Sequence, residues 1–123
     1  MSKKTKNKKV ILVLGATGDI GSCIADLLEE CGMVVCRHGR TGEYSADVKD
    51  ENQTKKLVNQ VINRFGKIDG VINVLSAPAK IGSFESKNWD DFLEQLNVEL
   101  KAAVAVTKLV VPYMKKQATS FTK

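Results

Sequence analysis

A short apolar segment that continues directly into a glycine-rich loop constrains the fold of this chain more than any other feature. Residues 10–14 are all Val, Ile or Leu, and Gly15, Gly18 and Gly21 follow at three-residue spacing. The apolar segment predicts a buried parallel strand, and an amphipathic helix begins at Asp19. The first glycine allows a sharp turn, the second allows a pyrophosphate to approach the backbone, and the third allows the helix to pack closely on the strand. Because the helix N-terminus also offers free amide donors, the segment predicts a dinucleotide-binding turn.

Apolar periodicity predicts a regular alternation of strands and helices in the remaining sequence. The predicted elements are strands at 10–14, 33–36, 44–48 and 71–75 and helices at 19–31, 50–65 and 88–116. Parallel neighbouring strands need long crossover connections, so this alternation predicts parallel strands in the order 3-2-1-4 with helices on the faces. We therefore expect an α/β fold in one domain over residues 10–116. It would be a Rossmann-like parallel sheet that lacks the later strands of the full fold, followed by a frayed tail at 117–123.

The positive charge of the chain is concentrated before the first strand. The net charge is +5, but five lysines precede Val10, and the remaining sequence has 14 basic and 14 acidic residues. These lysines are Lys3, Lys4, Lys6, Lys8 and Lys9. We interpret residues 1–9 as a solvated, disordered tail. Contact of this tail with nucleic acid or an anionic membrane is the alternative, and no nucleic-acid partner is expected for the folded part.

Apolar segment lengths and cysteine spacing predict a cytoplasmic protein without a membrane span. No apolar segment approaches the roughly 20 residues that a spanning helix needs, and the one at 10–14 is shorter than a secretory h-region. Cys23, Cys31 and Cys36 have no CxxC spacing, which argues against a disulfide framework or a zinc site. We expect Cys23 and Cys31 to lie in the core rather than to be reactive thiols, because they fall on the apolar face of the first helix. The predicted face comprises Ile20, Cys23, Ile24, Leu27, Leu28 and Cys31.

Several segments resemble the short-chain dehydrogenase/reductase family, which implies a dinucleotide-dependent oxidoreductase. Residues 15–21 match its glycine loop, Asp47 and Val48 match a segment after strand three beside the adenine, residues 65–73 resemble the approach to strand four, and Asn97 matches a helix asparagine. The resemblance and the chemistry of the loop after strand two together give the expected cofactor-binding residues: Gly15, Thr17, Gly18, Asp19, Ile20, Gly21, Arg37, Arg40, Asp47, Val48 and Asn73.

The chain departs from the family at positions that bear on catalysis. The family's Asn-Asn-Ala-Gly segment reads Asn73-Val74-Leu75-Ser76 here, so only its first residue is retained. The family's catalytic Ser and Tyr-x-x-x-Lys would follow position 116, and Tyr113 has Gln117 rather than lysine at i+4. The resemblance therefore assigns this chain only Asn97, in a positioning role, and a structural role for that amide within its helix is the alternative. We expect catalysis by this chain alone to be incomplete.

Arg37 and Arg40, in the loop predicted after strand two, favour NADP over NAD. An acidic residue at this point binds the ribose hydroxyls of NAD, whereas an arginine accepts the 2′-phosphate of NADP. The sequence from Cys36 to Arg40 contains two arginines and no acid. Two solvated loop arginines are the alternative interpretation. His38, the only histidine, is expected to be an exposed loop residue or to stack on adenine, and it predicts no metal site.

Three functions remain open from the sequence. The first is an NADP-dependent oxidoreductase, represented by its N-terminal half, that transfers hydride between the cofactor and a carbonyl or alcohol substrate. The second is a dinucleotide-binding module without catalysis. The third is an interaction protein that uses the open edge of strand four, since an exposed strand edge favours pairing with another chain. A homo-oligomer or a complementary C-terminal half is therefore the expected protein partner.

Overall fold

In a computed structural model that describes residues 7–78 and 81–121, with side chains to residue 118, helices alternate with the strands of a single sheet. The strands are β1 (Val10–Leu14), β2 (Val34–Gly39), β3 (Tyr44–Ser45) and β4 (Gly70–Asn73). The helices are α1 (Asp19–Glu30), α2 (Glu51–Phe65), α3 (Trp89–Gln95) and α4 (Ala102–Phe121), and a π-helical segment, Leu96–Lys101, joins the last two. No helix within the described ranges is long and apolar enough to cross a membrane. Of the predicted basic tail, residues 1–6 lie outside the described residues.

The sheet is parallel and has the order β3-β2-β1-β4, which confirms the order and the α/β class predicted from the sequence. Leu12 of β1 lies opposite Cys36 of β2 and Val71 of β4. The central position of β1 explains its uniformly apolar sequence, because helices cover both of its faces. All strands end at the same edge of the sheet, where the glycine loop leaves β1.

One face of β1 forms the main core with α2 and α4. Alternate residues of the strand point to this face, as a period of two requires. The fully or nearly fully buried residues that meet there are Val10, Leu12, Leu14, Leu57, Val58, Val61, Phe65, Val106 and Val110. Asp50 begins α2 by accepting hydrogen bonds from the amides of Asn52 and Gln53, and Gly66 ends it with a φ of 74°. These boundaries are the predicted ones, because capping signals are local in sequence.

The opposite face of β1 is covered by α1 at very short range. Gly21 and Ala25 are the buried residues of this helix. A Cβ added at Gly21 would overlap the Gly15 carbonyl oxygen and lie 2.9 Å from Cα of Ala16. Only the smallest side chains therefore fit along the line where α1 meets the strand and its loop.

The predicted apolar face of α1 is wrong for most of its residues. Ile20 is 70% exposed and Leu27 is 60% exposed, and Cys23 and Cys31 are exposed rather than in the core. Because α1 packs closely at Gly21, the small residues Gly21 and Ala25 are the buried ones, and the larger apolar side chains lie to either side of them. Only Cys36, which lies on β2, is a buried cysteine among the described residues.

Several boundaries differ from the predicted ones. β2 continues through Arg37 and His38 to Gly39 rather than ending at Cys36, because these polar residues still pair with β1 and β3. β3 is shorter than the predicted strand at 44–48, and β4 ends at Asn73. The predicted frayed tail is wrong from 117 to 121, where α4 continues through Pro112 to Phe121. The side chain of Gln117 accepts a hydrogen bond from the amide of Ile68 at 3.2 Å, which secures this end of the helix.

Replacing Gly21 with alanine should destabilise the fold by about 1–3 kcal/mol, because the added methyl group forces α1 away from the loop. Gly18→Ala is the matched control: its added Cβ would meet a single atom within 4 Å, at 3.9 Å, and its φ of −79° suits alanine. We expect the control to cost less than about 1 kcal/mol. Urea denaturation followed by circular dichroism measures both values. Equal losses of stability in the two variants would contradict close packing at Gly21.

The hydroxyl of Tyr44 should make the fold sensitive to alkaline pH. Tyr44 is 6% exposed and accepts a hydrogen bond from Nη1 of Arg64 at 2.7 Å. Burial, together with neighbouring Cys36, raises the pKa of Tyr44 to about 12, whereas an unfolded tyrosine ionises near pH 10. The neutral hydroxyl therefore contributes its full stabilisation below about pH 10, and this contribution is lost as the pH rises toward 12. Urea midpoints between pH 9 and 11.5 should fall less steeply in Tyr44→Phe than in the wild type. Identical slopes would argue against this role.

Candidate functional site

A cleft of about 510 Å³ lies at the edge of the sheet where the strands end. Ligand sites of open α/β sheets occur at this carboxyl edge. The cleft is lined by His38, Arg40, Ser45, Ala46, Asp47, Val48, Lys49, Gln53, Leu75, Ser76, Ala77, Pro78, Glu94 and Val98. The sequence predicted three of these as cofactor-binding residues, namely Arg40, Asp47 and Val48. The glycine loop that follows β1 lies beside the cleft, because its backbone is hydrogen-bonded to His38.

The three glycines of the loop differ in whether the surrounding protein leaves room for a Cβ atom. Gly15 has a φ of 81°, and a Cβ there would lie 3.2 Å from the carbonyl carbon and oxygen of Val74. Gly21 has no room for a Cβ against the Gly15 backbone. A Cβ at Gly18 would meet only the Gly15 oxygen, at 3.9 Å. Packing therefore explains Gly15 and Gly21, whereas the space above Gly18 is open to an external group.

The start of α1 presents backbone amides next to this open space. Residues 17–20 are exposed, and Gly18 is the N-cap of the helix, so its N-terminus has no side-chain cap. By contrast, α2 is capped by Asp50 and α3 by Asn88. The first amides of a helix have no carbonyl partner within it and carry the positive end of its dipole. The predicted residues Thr17, Asp19 and Ile20 thus lie where an anionic group could be bound.

His38 is buried beneath the glycine loop, so the prediction of an exposed loop histidine is wrong. Its side chain lies between β1 and the segment after β3, and the residue is 3% exposed. Nδ1 accepts a hydrogen bond from the amide of Gly15 at 3.1 Å, and Nε2 lies 2.9 Å from the carbonyl oxygen of Ala46. The amide of Ala16 donates to the carbonyl of His38 at 2.8 Å. The sequence offered no signal for this contact because residues 37–40 look like a polar loop.

Arg37 does not reach the cleft, which corrects the expectation that it lies together with Arg40. Side chains alternate along β2, and Arg37 lies opposite Val13 on the face covered by α1. Its Nη2 lies 2.6 Å from Oδ1 of Asp26 and 3.0 Å from Oε2 of Glu29. Hydrogen bonds to Glu29 and Asp26 raise the pKa of Arg37 further above its ordinary range. Arg37 therefore links β2 to α1, and Arg40 alone of the two arginines lines the cleft.

Residues 46–48 line the cleft and are connected to the glycine loop through His38, which contacts both Ala46 and Gly15. Asp47 accepts a hydrogen bond from the amide of Lys49 at 3.0 Å and donates its own amide to Oε1 of Gln53 at 2.8 Å. The ammonium of Lys49 pairs with Glu94 of α3 at 3.1 Å. Lys49 and Glu94 are 45 residues apart, and sequence reasoning did not identify either as a site residue. No local pattern in the sequence connects them.

The remaining predicted residues lie at the border of the cleft. Asn73 ends β4, and its Oδ1 accepts a hydrogen bond from the amide of Leu75 at 3.0 Å, which shapes the segment that lines the cleft. Asn97 is half-buried in the π-helical segment, one residue before Val98 of the cleft lining. Gln95 donates to the carbonyls of Ala77 and Pro78, both at 3.3 Å, and so attaches α3 to the same segment. No group of three or more His, Cys, Asp or Glu in the described part of the chain could hold a metal ion.

Comparisons with known proteins agree with this geometry. A family model described as enoyl-(acyl carrier protein) reductase matches residues 15–122. The chain is 30% identical to 3-oxoacyl-[acyl-carrier-protein] reductase FabG of Thermotoga maritima, over 89% of this chain and 51% of that protein. The chain thus spans about half the length of the curated relatives it matches.

Solved structures show the same fold. A putative 3-oxoacyl-reductase from Bacillus thuringiensis superimposes with a TM-score of 0.81 at 25% identity, over 89% of this chain and 53% of that one. An NADH-dependent reductase A1-R' complexed with NAD gives a TM-score of 0.85 at 20% identity, over 98% and 57% respectively. Together with the family match over residues 15–122, the parallel sheet and the glycine loop establish that this chain belongs to the short-chain dehydrogenase/reductase family.

Proposed function

We propose that this chain binds NADP(H) at the carboxyl edge of its sheet, as the cofactor-binding part of an oxidoreductase. In that enzyme, hydride would pass between NADP(H) and a carbonyl or alcohol substrate. The observation that carries the proposal is the open space above Gly18, since neither close packing nor a positive φ requires a glycine there. A pyrophosphate brought close to the backbone does explain it, and the adjacent amides of α1 provide donors and favourable electrostatics for it.

The site residues divide between two parts of the dinucleotide. We assign the pyrophosphate to the glycine loop and the start of α1, and the adenosine to the cleft. The assigned residues are Gly15, Thr17, Gly18, Asp19, Ile20, Gly21, Arg40, Asp47, Val48 and Asn73. The bound nicotinamide would supply the hydride donor or acceptor, and the protein would supply binding and orientation.

The preference for NADP over NAD rests on Arg40. This residue is exposed in the cleft, and no acidic residue follows β2 before Glu43. Arg40 can donate paired, charge-assisted hydrogen bonds to a 2′-phosphate. Of the carboxylates that line the same cleft, Asp47 accepts from the Lys49 amide and Glu94 pairs with the Lys49 ammonium, which reduces their repulsion of a phosphate.

Cofactor binding, rather than the complete reaction, is the role we propose for these residues. Neither Tyr44 nor Tyr113 has a lysine at i+4, so neither provides the family's Tyr-x-x-x-Lys motif. Asn97 keeps its proposed positioning role, in a π-helical segment of the kind that often occurs at functional sites.

An interaction module is a second candidate function, favoured by apolar side chains that remain exposed. Trp89 is 66% exposed and Leu100 is 59% exposed, and both line a shallow groove together with Phe92 and Leu96. β4 is also the end strand of the sheet within the described residues. A second copy of the chain or a complementary C-terminal half would be the partner of this module.

Gly18→Ala should weaken dinucleotide binding at least about tenfold, because the methyl group projects into the space assigned to the pyrophosphate. The measurement is the Kd of NADPH from fluorescence titration. Gly70→Ala is the matched control, because Gly70 begins β4 at the opposite edge of the sheet and its added Cβ would meet only the flexible end of Ile11. A wild-type chain without affinity for either dinucleotide would contradict the proposal and leave the interaction module.

Arg40→Ala should weaken NADPH binding about tenfold or more while changing NADH binding little, because only NADPH carries the 2′-phosphate. Arg37→Ala provides the comparison, since its guanidinium is held by Asp26 and Glu29 on the other face of the sheet. We expect Arg37→Ala to leave the ratio of the two dissociation constants unchanged. Selective loss of NADPH affinity in Arg37→Ala, or equal losses in Arg40→Ala, would overturn the assignment.

A further inference from the structure

The imidazole of His38 connects the two sides of the proposed cofactor site. On one side it accepts from the amide of Gly15, the first residue of the glycine loop, at 3.1 Å. On the other it meets the carbonyl of Ala46, which precedes the adenine-side pair Asp47 and Val48, at 2.9 Å. The ring is buried, yet His38 also contributes to the cleft lining. One side chain thus sets the spacing between two segments that are far apart in sequence.

The two partners determine which nitrogen carries the proton. A backbone amide can only donate, so Nδ1 must present its lone pair to Gly15. A carbonyl oxygen can only accept, so Nε2 must carry the hydrogen that it donates to Ala46. His38 is therefore held as the neutral Nε2–H tautomer. An apolar side chain at this position would leave both a backbone donor and a backbone acceptor without these partners.

We infer that His38 is a positioning residue for dinucleotide binding, and that its neutral Nε2–H tautomer fixes Gly15 relative to Ala46. This inference rests on the proposed function and adds a residue that contacts the loop rather than the reacting atoms. Gly15 lies in a sharp turn with a φ of 81°, and its hydrogen bond to Nδ1 fixes the direction of its amide in that turn. The hydrogen bond from Ala16 to the His38 carbonyl orients the next peptide of the same loop.

Substitutions of His38 separate its two hydrogen bonds. The H38N variant would retain an acceptor at the position of Nδ1, whereas H38Q would retain a donor near Nε2, and H38L would retain neither. We expect H38L and H38Q to weaken NADPH binding about tenfold or more, and H38N to recover most of the affinity, because the Gly15 contact orients the loop. T54V is the matched control: Thr54 is fully buried and donates to the carbonyl of Asp50 at 3.0 Å, away from the cleft lining. T54V should lower stability and leave the Kd unchanged.

Nuclear magnetic resonance of the wild-type chain tests the same inference without any substitution or ligand. The ¹⁵N shifts of the His38 ring should identify Nδ1 as unprotonated and Nε2 as protonated, and the Gly15 amide should exchange slowly with solvent. A protonated Nδ1, or equal loss of affinity in H38N and H38Q, would overturn the inference while NADPH binding by the wild type kept the proposed function intact. Absence of NADPH binding by the wild type would instead count against the proposed function, and the ring shifts would still decide the tautomer.

Discussion

The close approach of α1 to the end of β1 at Gly21 is the contact on which the rest of this edge of the sheet depends. It brings the first turn of the helix directly above the Gly15 carbonyl and leaves the backbone at Gly18 facing outward. The exposed amides of α1 and the open space above the loop therefore result from a single packing contact. Two residues of β2 stabilise this arrangement. His38 accepts a hydrogen bond from the Gly15 amide of the loop, and Arg37 forms an ion pair with Asp26 of α1.

The strand order could be predicted from the alternation of strands and helices, and the helix starts could be predicted because their signals are local. Each of these signals affects only the few residues next to it in the sequence. Examples are the apolar segment, the three glycines and a capping residue such as Asp50. The apolar face of α1 could not be placed correctly by periodicity alone. Periodicity identifies which side chains share a face, but the distance between helix and sheet decides which of them are buried. At Gly21 that distance is too short for large side chains, so Ile20 and Leu27 remain exposed.

The residues that line the candidate cleft were predicted only in part, for a different physical reason. Polar residues at the end of β2 look like a loop in the sequence, yet the strand continues to Gly39 and its alternation sends neighbouring side chains to opposite faces. This alternation places Arg37 against α1, whereas Arg40, just beyond the end of the strand, lines the cleft, although the sequence suggested that the two lie together. The pairing of Lys49 with Glu94 depends on how α3 folds back over the sheet, and such contacts have no local signature.

The alternation at the end of β2 also determines the register in which this strand pairs with β1. Val34 and Val35 are nearly equivalent apolar residues, so the first half of β2 would tolerate a shift of one position against β1. A shift in one direction would place the Arg37 guanidinium in the buried position beneath Gly15, where an unpaired cation costs several kcal/mol. A shift in the other direction would place His38 beside Asp26 and Glu29, and Gly39 would then lie beneath Gly15 without an acceptor for the Gly15 amide. The last residues of the strand therefore specify the register that its apolar residues leave ambiguous.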